Sequence, residues 1–340
     1  MMKILVTGGM GYIGSHTVVE LIEEGYEVII IDDLSNSNIK ILSQIEKITG
    51  VCPTYFNFDL CDINKVRDFA SFHQDIDGII HFAAFKAVGE SVLDPLKYYK
   101  NNFYSLINIL EVFPKTNFVF SSSCTVYGEP DSLPVNEFAP IKKAESPYGN
   151  TKQIAEEILS DFAKVNPAFR VVSLRYFNPV GAHPSALIGE LPIGVPHNLV
   201  PFITQSAIGK RGAIVVHGND YPTPDGTAIR DYIHVCDLAK AHVLSIKYLL
   251  KETETNYSVF NIGTGRGNSV LEVINSFEEA SGVKLNYTMG PRRNGDVIQV
   301  YGDVSLAEQK LNWTAKNSLS DMMLSAWKWE QYLNENSFEN

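Results

Sequence analysis

The feature that most constrains this chain is a rhythm in its first half, where short apolar runs alternate with stretches of helical spacing. Val28-Ile29-Ile30-Ile31 and Phe118-Val119-Phe120 are apolar at every position. A strand with one face in water would alternate, so these runs suit parallel strands covered on both sides. The strand-like segments are Lys3–Val6, Val28–Ile31, Thr54–Phe58, Gly78–Phe82, Asn117–Ser121 and Arg170–Phe177. Between them, Tyr12–Glu24, Ile63–Phe72, Leu96–Phe113 and Tyr148–Val165 carry helical spacing. Such alternation predicts a doubly wound α/β sheet.

The rhythm lapses after Asn178-Pro179. A loop-rich stretch with Pro179, Pro184, Pro192, Pro196 and Pro201 follows, and such segments shape pockets more often than cores. Shorter elements come next: Ala213–His217, Phe260–Gly263, a helix near Ser269–Ser281, Lys284–Thr288 and a helix near Leu319–Tyr332. They predict a smaller, mixed α/β domain over the ends of the strands. A chain of 340 residues has length for both parts. The expected division is 1–178 and 179–340, with the chain free to pass back between lobes.

A glycine turn, Thr7-Gly8-Gly9-Met10-Gly11-Tyr12-Ile13-Gly14, joins the first strand to the first helix. In a Rossmann sheet such a turn lets backbone approach a pyrophosphate, and the amides at the helix start, here around Tyr12 and Ile13, face the phosphates. Glycine spacing alone is weak evidence, but Asp32 ends the second strand 18 residues beyond Gly14, near the spacing of an acid that bonds a ribose diol. A carboxylate there repels a 2′-phosphate, which favours NAD over NADP. Asp33 and Asn36 would assist at the same ribose. Asp59 and Leu60, after the third strand, would lie beside the adenine. Phe82-Ala83-Ala84, after the fourth, offers small residues where a cofactor passes close to backbone. Lys86 and Asn101 are candidates too, although a lone lysine or asparagine equally suits a surface or a cap.

Ser121-Ser122-Ser123 ends the fifth strand, at the edge that faces the ligand crevice of an open α/β sheet. One of these serines would bond a substrate hydroxyl; Ser121 and Ser122 also suit a loop cap. Tyr148 and Lys152 are four residues apart, so on a helix they share a face. An ammonium beside a phenol favours the phenolate and pulls its pKa toward neutrality, where it can act as a base.

The net charge of −11 argues against nucleic acid or an anionic membrane as partner. Cys52, Cys61, Cys124 and Cys236 form no CxxC pair. No stretch approaches the roughly 18 apolar residues of a membrane span, and the opening Met1-Met2-Lys3 runs straight into a strand. A reducing cytoplasmic setting is the expectation. No histidine spacing suggests a metal site.

In combination these motifs resemble the UDP-glucose (UDP-galactose) 4-epimerases, within the extended short-chain dehydrogenases/reductases. The likeness also rests on Lys86-Ala-Val-Gly-Glu-Ser91, Ser146-Pro-Tyr-Gly-Asn-Thr-Lys152, Leu174-Arg-Tyr-Phe-Asn-Pro-Val-Gly-Ala-His-Pro184, Gly218-Asn-Asp-Tyr-Pro-Thr223, Arg230-Asp-Tyr-Ile-His-Val235 and Pro291-Arg-Arg293. It implies NAD as cofactor, a UDP-sugar as substrate and a homodimer through the helices near Leu96–Phe113 and Tyr148–Val165. It implies that Tyr148 takes the proton from the sugar 4-hydroxyl, that Ser123 helps, and that Lys152 bonds the nicotinamide ribose. Ser121, Tyr176 and Phe177 would line the cofactor. Lys86, Asn178, Asn198, Leu199, His217, Arg230, Arg293 and Asp296 would hold the substrate, largely through its UDP. Four residues after Asp296, Val300 stands where members restricted to plain hexoses resemble one another in carrying tyrosine. Valine leaves room for an acetamido group, which implies activity on UDP-GlcNAc and UDP-GalNAc; a register shift of one would put Tyr301 there instead. Two rivals are a nucleotide-sugar 4,6-dehydratase and a non-catalytic NAD-binding protein. The first would need an acidic pair where this chain has Cys124-Thr125, and the second would be expected to lose serine, tyrosine or lysine.

Overall fold

The computed structural model describes residues 1–251, 255–293, 297–336 and 338. Its first half reads β1 (Lys3–Thr7), α1 (Tyr12–Glu23), β2 (Glu27–Ile31), α2 (Lys40–Thr49), β3 (Thr54–Phe56), α3 (Ile63–Phe72), β4 (Gly78–His81), α4 (Val88–Leu93), α5 (Pro95–Val112) and β5 (Asn117–Ser121). A 3-10 turn at Cys124–Tyr127 precedes α6 (Pro147–Val165) and β6 (Arg170–Tyr176). There follow β7 (Asn178–Val180), α7 (Leu199–Ala207), β8 (Ile214–His217), β9 (Ile229–Arg230), β10 (Tyr232–His234), α8 (Val235–Leu249) and β11 (Tyr257–Ile262).

Seven parallel strands form the main sheet in the order β11-β6-β5-β4-β1-β2-β3. From β1 the chain winds one way to β3, then returns to β4 and winds the other way. The crevice therefore lies at the carboxyl ends of β1 and β4, where the order reverses. Strand parity splits the core between the faces. Ile4, Val6, Val28 and Ile30 pack under α1, α2 and α8, while Leu5, Ile29, Ile31 and Phe118 pack under α3, α5 and α6. Each such side chain, fully buried, contributes about 1.5–3 kcal/mol. A third core joins Val180, Ile203, Val216, Tyr232, Phe277 and Met323 beneath the second half. There the sheets are small: β10 with β7, β8 with Tyr287–Gly290, and β9 between Asn268–Ser269 and Gln299–Val300.

The expected strand Phe260–Gly263 is β11; it starts earlier and edges the main sheet rather than the smaller lobe. Its partner helix α8 lies between the sheet and α1, buries Val235, Leu238, Ala241, Val243, Ile246 and Leu249, and keeps only a narrow charged stripe, where Lys240 and Lys247 pair with Glu20 and Glu24. So the chain crosses residue 178 outward and then returns to the first lobe. The expected strand Lys284–Thr288 begins later, at Tyr287, after the left-handed Gly282 ends the preceding helix. Helix α7 occupies the end of the stretch read as loop, beginning at Leu199.

Candidate active site

The site begins where β1 stops. Gly8 adopts φ 70°, and its N–H donates to the Ile31 carbonyl at 2.8 Å. A Cβ on Gly8 would lie 2.8 Å from the Ala83 nitrogen, and one on Gly14 only 2.2 Å from the Gly8 carbonyl oxygen. Both glycines are thus required by close backbone approach. Gly11 is the N-cap of α1 and brings no capping side chain. The opening amides near Tyr12 and Ile13 have no intrahelical partner by the geometry of a helix start, so this end of α1 suits an anion.

Asp32 ties that turn to the end of β2. Its carboxylate accepts from the Met10 N–H at 3.0 Å, the Leu34 N–H at 2.9 Å and the Ser37 hydroxyl at 2.8 Å. Burial raises its pKa, and these donors oppose the rise. Asp33, Asn36 and Asp59 are exposed around the same end of the sheet, whereas Leu60 is in the core. Asp33 accepts from the Ser35 N–H and Asp59 from the Cys61 N–H. Phe82, Ala83 and Ala84 are half-buried beyond β4. Asn101, also half-buried, donates to the Asn102 side chain at 3.0 Å.

Serine, tyrosine and lysine converge beyond β5. Ser123 caps the 3-10 turn by accepting the Thr125 N–H at 3.2 Å, and its side chain favours the ionised form of the Tyr148 phenol. Ser121 Oγ meets the Tyr176 hydroxyl at 2.5 Å. Lys152 Nζ donates to the Ser121 carbonyl at 2.6 Å and lies 5.9 Å from the centre of the Tyr148 ring. Tyr148 is buried, with its N–H donating to Ser91 Oγ at 3.2 Å.

One expectation needs correction here. Burial pushes the Tyr148 phenol well above its usual range, Tyr176 adds to this, and the Ser123 side chain opposes it. Lys152 is not among the groups that hold the phenol down. Burial lowers its own pKa to about 7, with Glu156 opposing, and its ammonium is spent on a backbone carbonyl. A shared helix face brought the two side chains near, but Ser121 competes for the donor.

On the far side of the crevice, Lys86 is exposed and pairs with Glu190 at 3.4 Å, 5.8 Å from the Tyr12 ring. Asn198, the N-cap of α7, donates to the same Glu190 carboxylate at 2.7 Å, and half-buried Leu199 opens that helix. Asn178 opens β7, with its N–H on the Asp231 carbonyl at 2.9 Å. Half-buried Arg230, on β9, lies opposite Val300 in the parallel strand Gln299–Val300. Val300 is buried in a cluster with Val126, Tyr127, Val135 and Phe177, beside the turn that follows Ser123. Tyr301 stands instead by Gly267, where an added Cβ would lie 3.1 Å from its ring. His217 ends β8, with Nδ1 3.2 Å from the Pro291 carbonyl, and Arg293 is exposed two residues further on. Asp296 lies outside the described residues. Among the described residues, no group of three or more His, Cys, Asp or Glu is placed to hold a metal ion.

Three residues that shape the site were not singled out by sequence reasoning, although Asp231 lies within the Arg230–Val235 motif. Glu190 links Lys86 to Asn198 across the crevice. Asn102 bonds both the Phe85 backbone and Thr151, joining the loop after β4 to α6. Asp231 accepts from Thr264, Gly265 and Gly302, which fixes the backbone between Arg230 and Val300. Each acts through partners remote in sequence.

A family model described as GDP-mannose 4,6 dehydratase matches residues 5–325. UDP-glucose 4-epimerase of Drosophila melanogaster is 48% identical, covering 99% of this chain and 98% of that protein. The Stenotrophomonas maltophila UDP-glucose 4-epimerase, solved with NAD and formylated UDP-arabinopyranose, is 44% identical with a TM-score of 0.95, over 98% of this chain and 99% of that one. The Bifidobacterium longum enzyme, solved with NAD+ and UDP, is 45% identical with a TM-score of 0.92, over 97% and 98%. With a reversing parallel sheet, a glycine turn at its switch point and likeness along nearly its whole length, this chain belongs to the UDP-glucose 4-epimerases of the extended short-chain dehydrogenase/reductase family.

Proposed function

We propose that this protein is an isomerase, an NAD-dependent UDP-hexose 4-epimerase that interconverts UDP-glucose and UDP-galactose through a 4-keto sugar. The observation that carries the reading is the convergence of Ser123, Tyr148 and Lys152 at the crevice where the strand order reverses. The turn suits a dinucleotide: Gly8 and Gly14 let backbone segments close on one another at the start of α1, whose opening amides are left for an anion, and Asp32 follows directly on β2. Gly8, Gly11, Tyr12, Ile13 and Gly14 would hold the pyrophosphate, and Asp32, Asp33 and Asn36 the ribose. Asp59 and Leu60 would lie beside the adenine, Phe82, Ala83 and Ala84 would let the cofactor pass close to backbone, Lys86 and Asn101 would also contact it, and Ser121, Tyr176 and Phe177 would line the nicotinamide side. When bound, NAD supplies an acceptor for the C4 hydride and its return to the opposite face.

Tyr148 removes the proton of the sugar 4-hydroxyl and later restores it. Burial opposes an anionic phenolate; the Ser123 side chain and the positive charge of an oxidised nicotinamide offset that. Lys152, with its pKa near 7 and its ammonium fixed on Ser121, orients the ribose beside Tyr148. Asn178, Asn198, Leu199, His217, Arg230, Arg293 and Asp296 anchor UDP, with Lys86 reaching the sugar side. Binding energy remote from C4 retains the keto sugar while it turns over. The cofactor lobe comprises the main sheet with its returning strand β11, and the remaining second half holds the sugar. UDP-galactose deuterated at C4 should give UDP-glucose that keeps the deuterium. Exchange of the label with water, or a 6-deoxy-4-keto product, would overturn the reading. The dehydratase rival lacks its acidic pair, since Cys124-Thr125 follow Ser123.

Val300 favours a wider substrate range, for it is buried beside the turn following Ser123 while Tyr301 stands elsewhere. The enzyme should turn over UDP-GlcNAc, and Val300→Tyr should lower that activity at least about tenfold while sparing UDP-glucose, as expected for loss of room in a pocket. Absence of any turnover of UDP-GlcNAc by the wild-type protein ends the proposal.

A homodimer through α5 and α6 is also proposed. Leu96, Tyr104 and Ile107 share one face of α5 and are 66%, 53% and 42% exposed. Sedimentation should show a species of twice 37.8 kDa; a monomer alone contradicts this. No described helix is long and apolar enough to cross a membrane. The cysteines are free, and we place the enzyme in a reducing cytoplasm.

A further inference from the structure

Glu156 lies on α6 one turn beyond Lys152 and is 4% exposed. It touches neither Tyr148 nor any group proposed to meet the sugar. Its carboxylate accepts from Ser122 Oγ at 2.5 Å. The same carboxylate is gripped by Arg175, from Nε at 3.0 and 3.2 Å and from Nη2 at 2.6 Å. Arg175 is the β6 neighbour of Tyr176; its guanidinium lies 4.8 Å from the centre of the Tyr127 ring and donates to the Glu137 carbonyl. A buried ion pair is a poor source of stability, since apolar residues of similar volume serve as well. What this pair has that apolar residues lack is a directed bond to Ser122.

Ser122 is the middle of three serines and is wholly buried. Its neighbours carry the site. The carbonyl of Ser121 takes the Lys152 ammonium and its hydroxyl meets Tyr176, while the Ser123 side chain caps the turn that follows and favours the Tyr148 phenolate. Fastening the middle residue from behind fixes the backbone that aims both neighbours. Arg175 holds the fastening from β6, so α6, β5 and β6 meet at one carboxylate.

We propose that Glu156, clamped by Arg175, is the positioning residue of the reaction: it fixes Ser122 and thereby aims Ser121 and Ser123 at Lys152 and Tyr148. The proposal rests on the roles given above to Ser123, Tyr148 and Lys152. A displaced catalytic group costs turnover steeply, on the order of a hundredfold for a shift of about 1 Å. UDP binding, remote from this network, is untouched.

Two variants test it on the full-length, NAD-loaded enzyme with UDP-galactose. Ser122→Ala removes only the link, and Glu156→Gln keeps an acceptor but loses the clamp. Both should lower kcat about tenfold or more with KM nearly unchanged. Ser122→Ala should also keep its melting temperature within a few degrees. If Glu156→Gln does not fold, Ser122→Ala decides alone. A folded Ser122→Ala with wild-type kcat overturns the proposal, as does a loss confined to KM or to thermal stability. Tyr148→Phe in the same assay separates the two layers. Normal turnover there removes the underlying reading. An inactive Tyr148→Phe beside a fully active Ser122→Ala removes only the positioning role.

Discussion

At Gly14 the chain has room for a hydrogen and little else. Its nearest obstacle is the Gly8 carbonyl oxygen, 2.2 Å from where a Cβ would sit. That oxygen belongs to backbone held by a bond to Ile31, so it cannot swing aside. Gly14→Ala should therefore cost about 1–3 kcal/mol of stability, as overpacking does, and weaken NAD binding. A urea midpoint and a fluorescence titration of NAD measure the two effects; an unchanged midpoint contradicts the argument. The need for glycine here was legible, because the turn sits between an apolar strand and a helix. The handling of the Lys152 ammonium was not. Spacing placed it on the face of Tyr148, but its acceptor is the carbonyl of Ser121, 31 residues earlier. Glu190 was illegible for the same reason, since its meaning comes from Lys86, 104 residues away.

Among elements, α6 carries the most chemistry. Its N-cap is Ser146, whose Oγ accepts the Gly149 N–H at 3.1 Å, and Pro147 occupies the first turn. Tyr148 lies in that turn. Ser146→Ala should cost about 1 kcal/mol and, by fraying the first turn, lower kcat more than KM. Thermal unfolding and steady-state kinetics together check this; an unchanged kcat would show that packing alone holds Tyr148. The strands from β1 to β6 were readable because a buried parallel strand is apolar throughout and bounded by turn residues. Helix α8 escaped for a related cause. It packs on both the sheet and α1, so its polar stripe is narrowed to Lys240 and Lys247, and Asp237, His242 and Ser245 lie buried among the apolar positions. The strand it feeds, β11, then reads as part of the second half, although it pairs with β6 at the edge of the main sheet.

For the whole molecule, buried histidines set the response to acid. Burial lowers His16 and His81 to about 3 and His242 to about 4. Each is neutral in the folded state, whereas an unfolded histidine takes up a proton near its ordinary value of 6.5. The unfolded chain thus binds more protons below that value. The stability is present above it and is lost as pH falls toward 3–4. Glu20, raised to about 7 by burial, opposes this, as do Asp32, Glu137 and Asp231, which burial also raises. Replacing one imidazole isolates its share: His16→Asn should flatten the slope of unfolding free energy between about pH 6 and pH 5 by at most about 1.4 kcal/mol per unit. Equal slopes for variant and wild type contradict the assignment.

All of this converges on one phenolic oxygen held at the reversal of the sheet. The most direct test is the turnover of Tyr148→Phe on UDP-galactose, measured on protein shown to retain its fold and its bound NAD. The account predicts a fall in kcat of about a hundredfold to ten-thousandfold, the range for loss of a positioned acid–base group. Turnover within about threefold of wild type would contradict it.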